Sequence, residues 1–469
     1  MTRFLFNLPI WHQMVANSRS ILRWPIIAGV ILTCTYIIPH LPQIYMLLLL
    51  SGVVGLGITL LFLNKPIVGV LAMIPACLVI PLNIGTGTGT SVNAGILLLF
   101  LLLGLWLLDL VVRKQQLQLP RSPIFLPLLL LVLTSILAFV VGQLPWFPVP
   151  AAPLHAQMGG LAIFVLSAGA FLLVVGRVHR LHWLECMTWL FLILGAVYIL
   201  GRITPGGARI LRSIFLPETT GSLFWVWLVS LALSQGILNQ NLGRGWRIAL
   251  ILLTVATVYV GYVLGNDWKS GWVPPLVSIV TIFVARWWRL GVLCLVAGLI
   301  PAINLVSRLI ETDEYSYLTR LDALVIVWEI VRRSPILGLG PANYYWYTSL
   351  FPIRGYAVAF NSHNQYIDLI AQTGILGLLC FLWFAGALLW FGWQLRTRVP
   401  IGFARAYVYG ALGGIAGTLV AAALGDWVLP FVYNIGLRGM RASLLGWMFM
   451  GGLVALEQML SRHSMDSTK

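Results

Sequence analysis

Long apolar runs follow one another along almost the whole chain, separated by short breaks that carry Arg, Pro, Gly and Asn. A helix that crosses a hydrocarbon core about 30 Å thick needs roughly 20 predominantly apolar residues. Fourteen runs approach or exceed that length: 25–42, 44–63, 66–83, 92–112, 124–142, 158–176, 183–201, 221–238, 247–265, 273–287, 289–307, 366–394, 406–425 and 441–458. Run 273–287 is short and run 25–42 contains Pro39 and Pro42, so the pattern predicts 12–14 transmembrane helices. It breaks at length only once, in the polar segment from Arg308 to Gln365. The predicted fold class is therefore an all-α polytopic integral membrane protein with one large external loop containing short helices. Five regions follow: an interfacial N-terminal segment, 1–24; a transmembrane bundle, 25–307; the external loop, 308–365; C-terminal transmembrane helices, 366–458; and a tail, 459–469.

Composition excludes a soluble protein. Of 469 residues 60% are apolar and 9% charged, against about 25% charged in globular domains, and the mean hydropathy is +0.94. A net charge of +16 would suggest nucleic acid in a soluble chain, but here the basic residues stand in ones and twos at the ends of apolar runs. Cys34, Cys77, Cys186, Cys294 and Cys380 all lie inside those runs, with no C-x-x-C pair, which supports neither a disulfide framework nor a structural zinc site. No internal repeat of the kind found in two-half transporters is visible. Residues 1–24 mix four basic or histidine side chains with Phe, Leu and Trp and lack a small-residue cleavage site, so they read as an interfacial helix and not a cleaved signal.

The basic residues encode orientation. With both termini cytoplasmic, 18 of the 29 Lys and Arg residues and four of the 13 acids fall on the inside, as the positive-inside rule requires. Eleven basic residues remain outside, ten of them Arg: Arg202, Arg209 and Arg212 in one loop, Arg308, Arg320, Arg332, Arg333 and Arg354 in the large one, Arg438 and Arg441 in the last. A guanidinium fork matches phosphate oxygens in a bidentate way that an ammonium cannot. The set points to an anionic ligand, while each arginine alone is equally explained by headgroups or by the acids Glu311, Asp313 and Glu314. Those acids lack the D-x-D spacing of sugar-nucleotide enzymes, and no metal site is expected.

Residues 315–335 predict a helix with Ser316 as its cap and Pro335 beyond its end. Leu321, Leu324, Val325, Trp328 and Val331 form its apolar face, with Arg320 on the edge. Gly338-Leu-Gly340 is either a backbone cradle for an anion or a plain turn between helices. The aromatic run Tyr344 to Tyr347 suits glycan rings or the membrane interface. His363 stands at the mouth of the next span between Ser362 and Asn364, polar neighbours able to fix its tautomer. An imidazole with an ordinary pKa near 6.5 accepts a proton at neutral pH, and a histidine capping the helix would look similar. Asp368, one turn into a span, is costly unless paired, for instance with an arginine.

In order along the chain, Arg320-x7-Trp328-x6-Pro335-x2-Gly338-x-Gly340, Ser362-His363-Asn364-x-Tyr366 and Gly374-x-x-Gly377-Leu378 resemble the signature region of the O-antigen ligase and O-antigen polymerase superfamily. The resemblance implies an inverting membrane glycosyltransferase. Its donor would be a polyprenyl-diphosphate-linked glycan, its acceptor a hydroxyl of a glycan, lipid or protein, and its setting the outer face of the cytoplasmic membrane. Neither metal nor other cofactor is implied, and no nucleic acid. It assigns His363 to the acceptor hydroxyl and Arg320 to the diphosphate, with Arg209 or Arg212 as the arginine of an earlier loop and Trp328, Gly338, Gly340, Asn364 and Tyr366 around the substrate. Two positions depart from the pattern: Gln372 stands where an acid is common, and Ser213-Ile-Phe-Leu-Pro-Glu218 only loosely matches an Asn-Pro motif. The alternatives are a transporter or flippase of lipid-linked glycans or small anions, and a peptidoglycan-type polymerase. A flippase would line several spans with polar residues, whereas the mid-span positions here are almost wholly apolar.

Overall fold

The computed structural model describes residues 43–85, 91–112, 122–215, 217–265, 267–298 and 314–466. The N-terminal segment 1–24, the run 25–42, and Arg308, Glu311 and Asp313 lie outside the described residues. The chain divides into two units, 1–64 and 65–469. The first contributes α1 (Gln43–Asn64). The second opens with α2 (Pro66–Leu78), whose Pro66 occupies the first turn, where no intrahelical donor is needed.

A two-stranded antiparallel hairpin follows, β1 (Asn83–Gly85) with β2 (Ser91–Asn93), a small departure from the all-α expectation. Asn93 ends it by accepting the Ile96 N–H at 3.1 Å, so starting α3 (Ala94–Val112). Then come α4 (Phe125–Val141), α5 (Leu154–Arg177), α6 (Leu181–Ile203), α7 (Gly207–Ile214), α8 (Ser222–Leu238), α9 (Arg244–Tyr259), α10 (Lys269–Arg286) and α11 (Trp288–Gly298). The chain closes with α12 (Glu314–Val331), α13 (Gln365–Leu395), α14 (Phe403–Ala423) and α15 (Gly436–Asp466).

Seven helices among the described residues are long and apolar enough to cross a membrane: α3, α5, α6, α9 with its continuation to Leu264, α13, α14, and α15 as far as Ser461. Shorter apolar helices, α2, α4, α8 and α11 among them, accompany them. The protein is an all-α polytopic membrane protein. Its surface carries Leu107, Val111, Leu129 and Leu252 in the open, which costs nothing where the solvent is lipid.

Helix α8 is apolar on every side and accordingly central, with Trp227, Leu228 and Val229 fully buried. It packs against α9, α10 and α14. Close approach of α14 to α10 requires small residues: a Cβ at Gly413 would stand 2.8 Å from the Ser278 carbonyl oxygen, and one at Gly417 2.9 Å from that of Pro274.

The single run 366–394 is helical but broken. At Gly374 the backbone turns to φ 67°, ψ −172°, a region essentially restricted to glycine. The break leaves the carbonyls of Ala371 and Gln372 and the N–H groups of Ile375 and Leu376 without their partners four residues away. Segment 335–340 supplies replacements: Ile375 N–H donates to Pro335 O (2.9 Å) and Leu376 N–H to Ile336 O (3.3 Å), while Leu339 N–H donates to Ala371 O (2.9 Å) and Gly340 N–H to Gln372 O (3.1 Å). Buried backbone groups must be paired, and here one segment repairs the break in another.

Candidate active site

Helix α12 turns Ala323, Val327, Ile330 and Val331 inward, against Leu339, Tyr344, Tyr347, Ala371 and Phe431. Of the face expected from the sequence, Val331 lies on this inward side and the rest does not. Leu321, Val325 and Trp328 are exposed, because α12 has two apolar stripes and helical period cannot rank them. Helix α12 begins at Glu314, so Ser316 lies within its first turn. Arg320 stands three and seven residues before Ala323 and Val327, on the inward stripe just past the core.

At that point a cavity of about 290 Å³ opens, lined by Thr319, Arg320, Ala323, Ile353, Arg354, Tyr356, Val358, Phe360, Asn361, Ser362 and His363. Arg320 and His363, forty-three positions apart, thus share one cavity. Arg354 joins them from the intervening turn, where its φ is 52°, and its Nε is 2.7 Å from Asp322 Oδ2. Sequence reasoning counted Arg354 among the outer arginines without assigning it to the site. The signal was its place in the large loop. Asn361 is buried in the wall with its Nδ2 unpartnered.

His363 has φ 49°, in the left-handed region that few side chains other than Asn, Asp and His enter. Partial burial of the ring, and after it the charge of Arg320, lower its pKa below the ordinary 6.5. The neutral imidazole, the form able to accept a proton, is favoured.

Its neighbours do not hold the ring, contrary to the expectation of tautomer-fixing flanks. Asn364 caps α13, accepting the N–H groups of Tyr366 (3.0 Å) and Ile367 (3.3 Å), and donates to Ala423 O at 3.1 Å. The Ser362 hydroxyl donates to Asp368 Oδ1 at 2.7 Å, and the Ser362 N–H donates to the Tyr344 hydroxyl at 3.2 Å. Tyr344 donates to the same Asp368 oxygen. Burial first, and then the Asp368 charge, push the Tyr344 phenol well above its ordinary pKa of 10.0, so it keeps the proton it donates. Asp368, expected to meet an arginine, is held by two hydroxyls instead.

The remaining predicted residues lie elsewhere. Arg209 and Arg212 are exposed on α7, and neither lines the cavity. Trp328 is on the outer stripe of α12. Tyr366 donates to Leu419 O at 2.7 Å and rests against Phe381. Gly338 N–H donates to Ser334 O (2.9 Å), and the Leu339 and Gly340 amides are engaged with α13, leaving the three amides of the G-x-G stretch no free donor for an anion. A Cβ at Gly338 would lie 2.5 Å from the Gly374 nitrogen, so these glycines serve close approach. Gln372 accepts the Ala342 N–H at 3.3 Å. Tyr344 and Tyr347 are core residues, and Tyr345 stacks on Tyr433 at 4.5 Å.

Fold and site together define a polytopic all-α membrane protein with an arginine- and histidine-lined cavity between α12 and the loop that leads into α13. Residues 229–382, which contain every residue that lines the cavity, match the family model described as O-antigen ligase. The chain is also 25% identical over 177 residues to the O-antigen ligase of Salmonella typhimurium. That similarity covers 34% of this chain and 44% of the relative, so the chain spans less than half of the curated protein it matches.

Proposed function

We propose that the protein is an inverting glycosyltransferase that moves a glycan from a polyprenyl-diphosphate carrier to an acceptor hydroxyl on the outer face of the cytoplasmic membrane. The observation that carries the reading is that two arginines, Arg320 and Arg354, line one cavity with a histidine biased toward its neutral form. The similarity over 229–382 supports it.

In this reading the acceptor oxygen attacks the anomeric carbon from the face opposite the lipid diphosphate. The new C–O bond forms as the bond to the phosphate oxygen breaks, so the anomeric configuration inverts. The acceptor's proton passes to the imidazole of His363, and the electron pair leaves with the diphosphate. Arg320 and Arg354 stabilise the developing charge at low dielectric. The glycosyl diphosphate is already activated, so the reading needs neither nucleotide nor metal. Arg354 takes the place expected of Arg209 or Arg212, and Asn361 offers a buried donor to a substrate oxygen.

The test is reconstitution of the purified protein with a polyprenyl-diphosphate oligosaccharide and EDTA, following product size. Lengthened lipid-linked glycan indicates a polymerase, and transfer only after a lipid or protein acceptor is added indicates a ligase. His363→Ala should lower kcat by about 10²–10⁴-fold, the usual contribution of a positioned base. Full activity in His363→Ala overturns the reading.

A further inference from the structure

His363 makes no ring hydrogen bond among the described residues, yet its backbone is pinned on both sides. On one side Asn364 is fixed as the cap of α13. On the other, Ser362 is held twice, through its N–H by Tyr344 and through its hydroxyl by Asp368. Tyr344 and Asp368 are themselves fully buried and joined to each other. The Ser362 hydroxyl also accepts the Asn364 N–H at 3.1 Å, which closes the turn in which φ of His363 becomes positive.

The anchors come from separate parts of the chain. Tyr344 belongs to the aromatic turn Tyr344–Tyr347, its ring tilted 30° against that of Phe431 with centroids 4.9 Å apart. Asp368 belongs to the first turn of α13. Burying an acidic side chain with no ion pair among the described residues is expensive, and a membrane segment is the least favourable place for it. An apolar residue would pack α13 as well. What the carboxylate adds is one acceptor that gathers two hydroxyls at the point where the chain bends into the cavity.

We propose that Tyr344, Asp368 and Ser362 are positioning residues that hold the His363 backbone in its left-handed turn, so that the imidazole is set by its main chain and its free nitrogen is left for the acceptor hydroxyl. The proposal rests on the assignment of His363 as the proton acceptor. It makes the three side chains contributors to turnover and not to donor capture, which is the work of Arg320 and Arg354 in the same cavity.

The experiment compares Tyr344→Phe, Ser362→Ala, Asp368→Asn and His363→Ala in proteoliposomes, measuring kcat and KM for the polyprenyl-diphosphate oligosaccharide together with the melting temperature. Misplacing a reacting group by about 1 Å can cost on the order of 10²-fold. Tyr344→Phe and Ser362→Ala should therefore lower kcat by that order while KM and melting temperature stay near the parent values. Ser362→Thr, which restores the hydroxyl, should recover most of the kcat. Loss of activity in His363→Ala with normal kcat in both hydroxyl variants overturns the positioning role and leaves the base assignment standing. Losses of kcat that track a falling melting temperature, or appear equally in KM, also overturn it. Activity in His363→Ala removes the base assignment itself, and the proposal with it.

Discussion

At the residue scale, the outer arginines that look alike in sequence have different occupations. Arg441 is buried and donates to the carbonyls of Ala76, Cys77, Ile80 and Leu82 and to Asn83 Oδ1, at 3.0 to 3.2 Å. It closes the C-terminal end of α2, whose last carbonyls have no helical partner. Arg333 lies over the Phe147 ring at 5.8 Å. Among the described outer arginines, only Arg320 and Arg354 line the cavity. Hydrogen bonds to a charged group contribute about 1.5–3 kcal/mol, so Arg320→Lys, which loses the planar fork, should lower kcat/KM for the donor at least about tenfold. Full retention of activity would remove the bidentate diphosphate role. Asn361 gives a test of opposite signs. An unsatisfied buried donor costs about 1–3 kcal/mol, so Asn361→Leu should raise the melting temperature while lowering kcat/KM. A rise in both would show that the amide does not meet substrate.

In the proposed reaction the histidine sets the pH dependence. Its pKa is depressed below 6.5 and the proposed base acts as the neutral ring, so kcat/KM should stay high as the pH falls through 6.5 and decline only below it. The positive charge of Arg320 is one cause of the depression. Arg320→Gln should therefore move the acidic midpoint of the kcat/KM–pH profile upward, and Arg320→Lys should leave it in place. A midpoint indifferent to both changes would show that the titrating group is not His363.

At the scale of elements, the apolar runs predict the spanning helices because length and hydropathy carry that information directly. The helix at 315–335 is likewise legible from its period. Its orientation is not, since Leu321, Val325 and Trp328 are as apolar as Val327 and Ile330, and helical period cannot rank the two stripes. The break in α13 leaves a trace in the glycine-rich motif, but its partner segment cannot be read from spacing: only the pairing of Leu339 and Gly340 with Ala371 and Gln372 shows why glycines occupy 338 and 374. The cavity was half legible. Arg320 and His363 stand in motifs, whereas Arg354 and Asn361 depend on how the loop folds back. Gly374→Ala should cost about 1–3 kcal/mol from backbone strain alone. A Cβ 2.1 Å from the Ile336 oxygen adds to this, and the melting temperature should fall with kcat. Unchanged stability would mean that α13 tolerates a continuous helix.

At the scale of the whole molecule, the orientation proposed for the chain rests on charge that the fold leaves exposed to either aqueous phase. The outer excess of basic residues shrinks once their structural roles are counted. Arg441 is enclosed between α15 and α2, and Arg354 faces both Asp322 and the cavity, so neither acts as a simple topological charge. The cytoplasmic assignment retains Arg113, Lys114, Arg180, Arg244, Arg286, Arg289, Arg396 and Arg398 at the ends of successive runs, the pattern that retains loops on the cytoplasmic side. Arg177 and Asp109, which form an ion pair at 3.0 Å, fall on that same side in this scheme, as partners across α3 and α5 must. A reporter fused after Lys114 should therefore give a cytoplasmic signal, and one inserted at the exposed turn 355–358 an external signal. A reagent confined to the outer face should label a single cysteine placed at Val358, on the cavity wall. The reverse pattern would put the cavity in the cytoplasm and exclude an acceptor presented on the outer face.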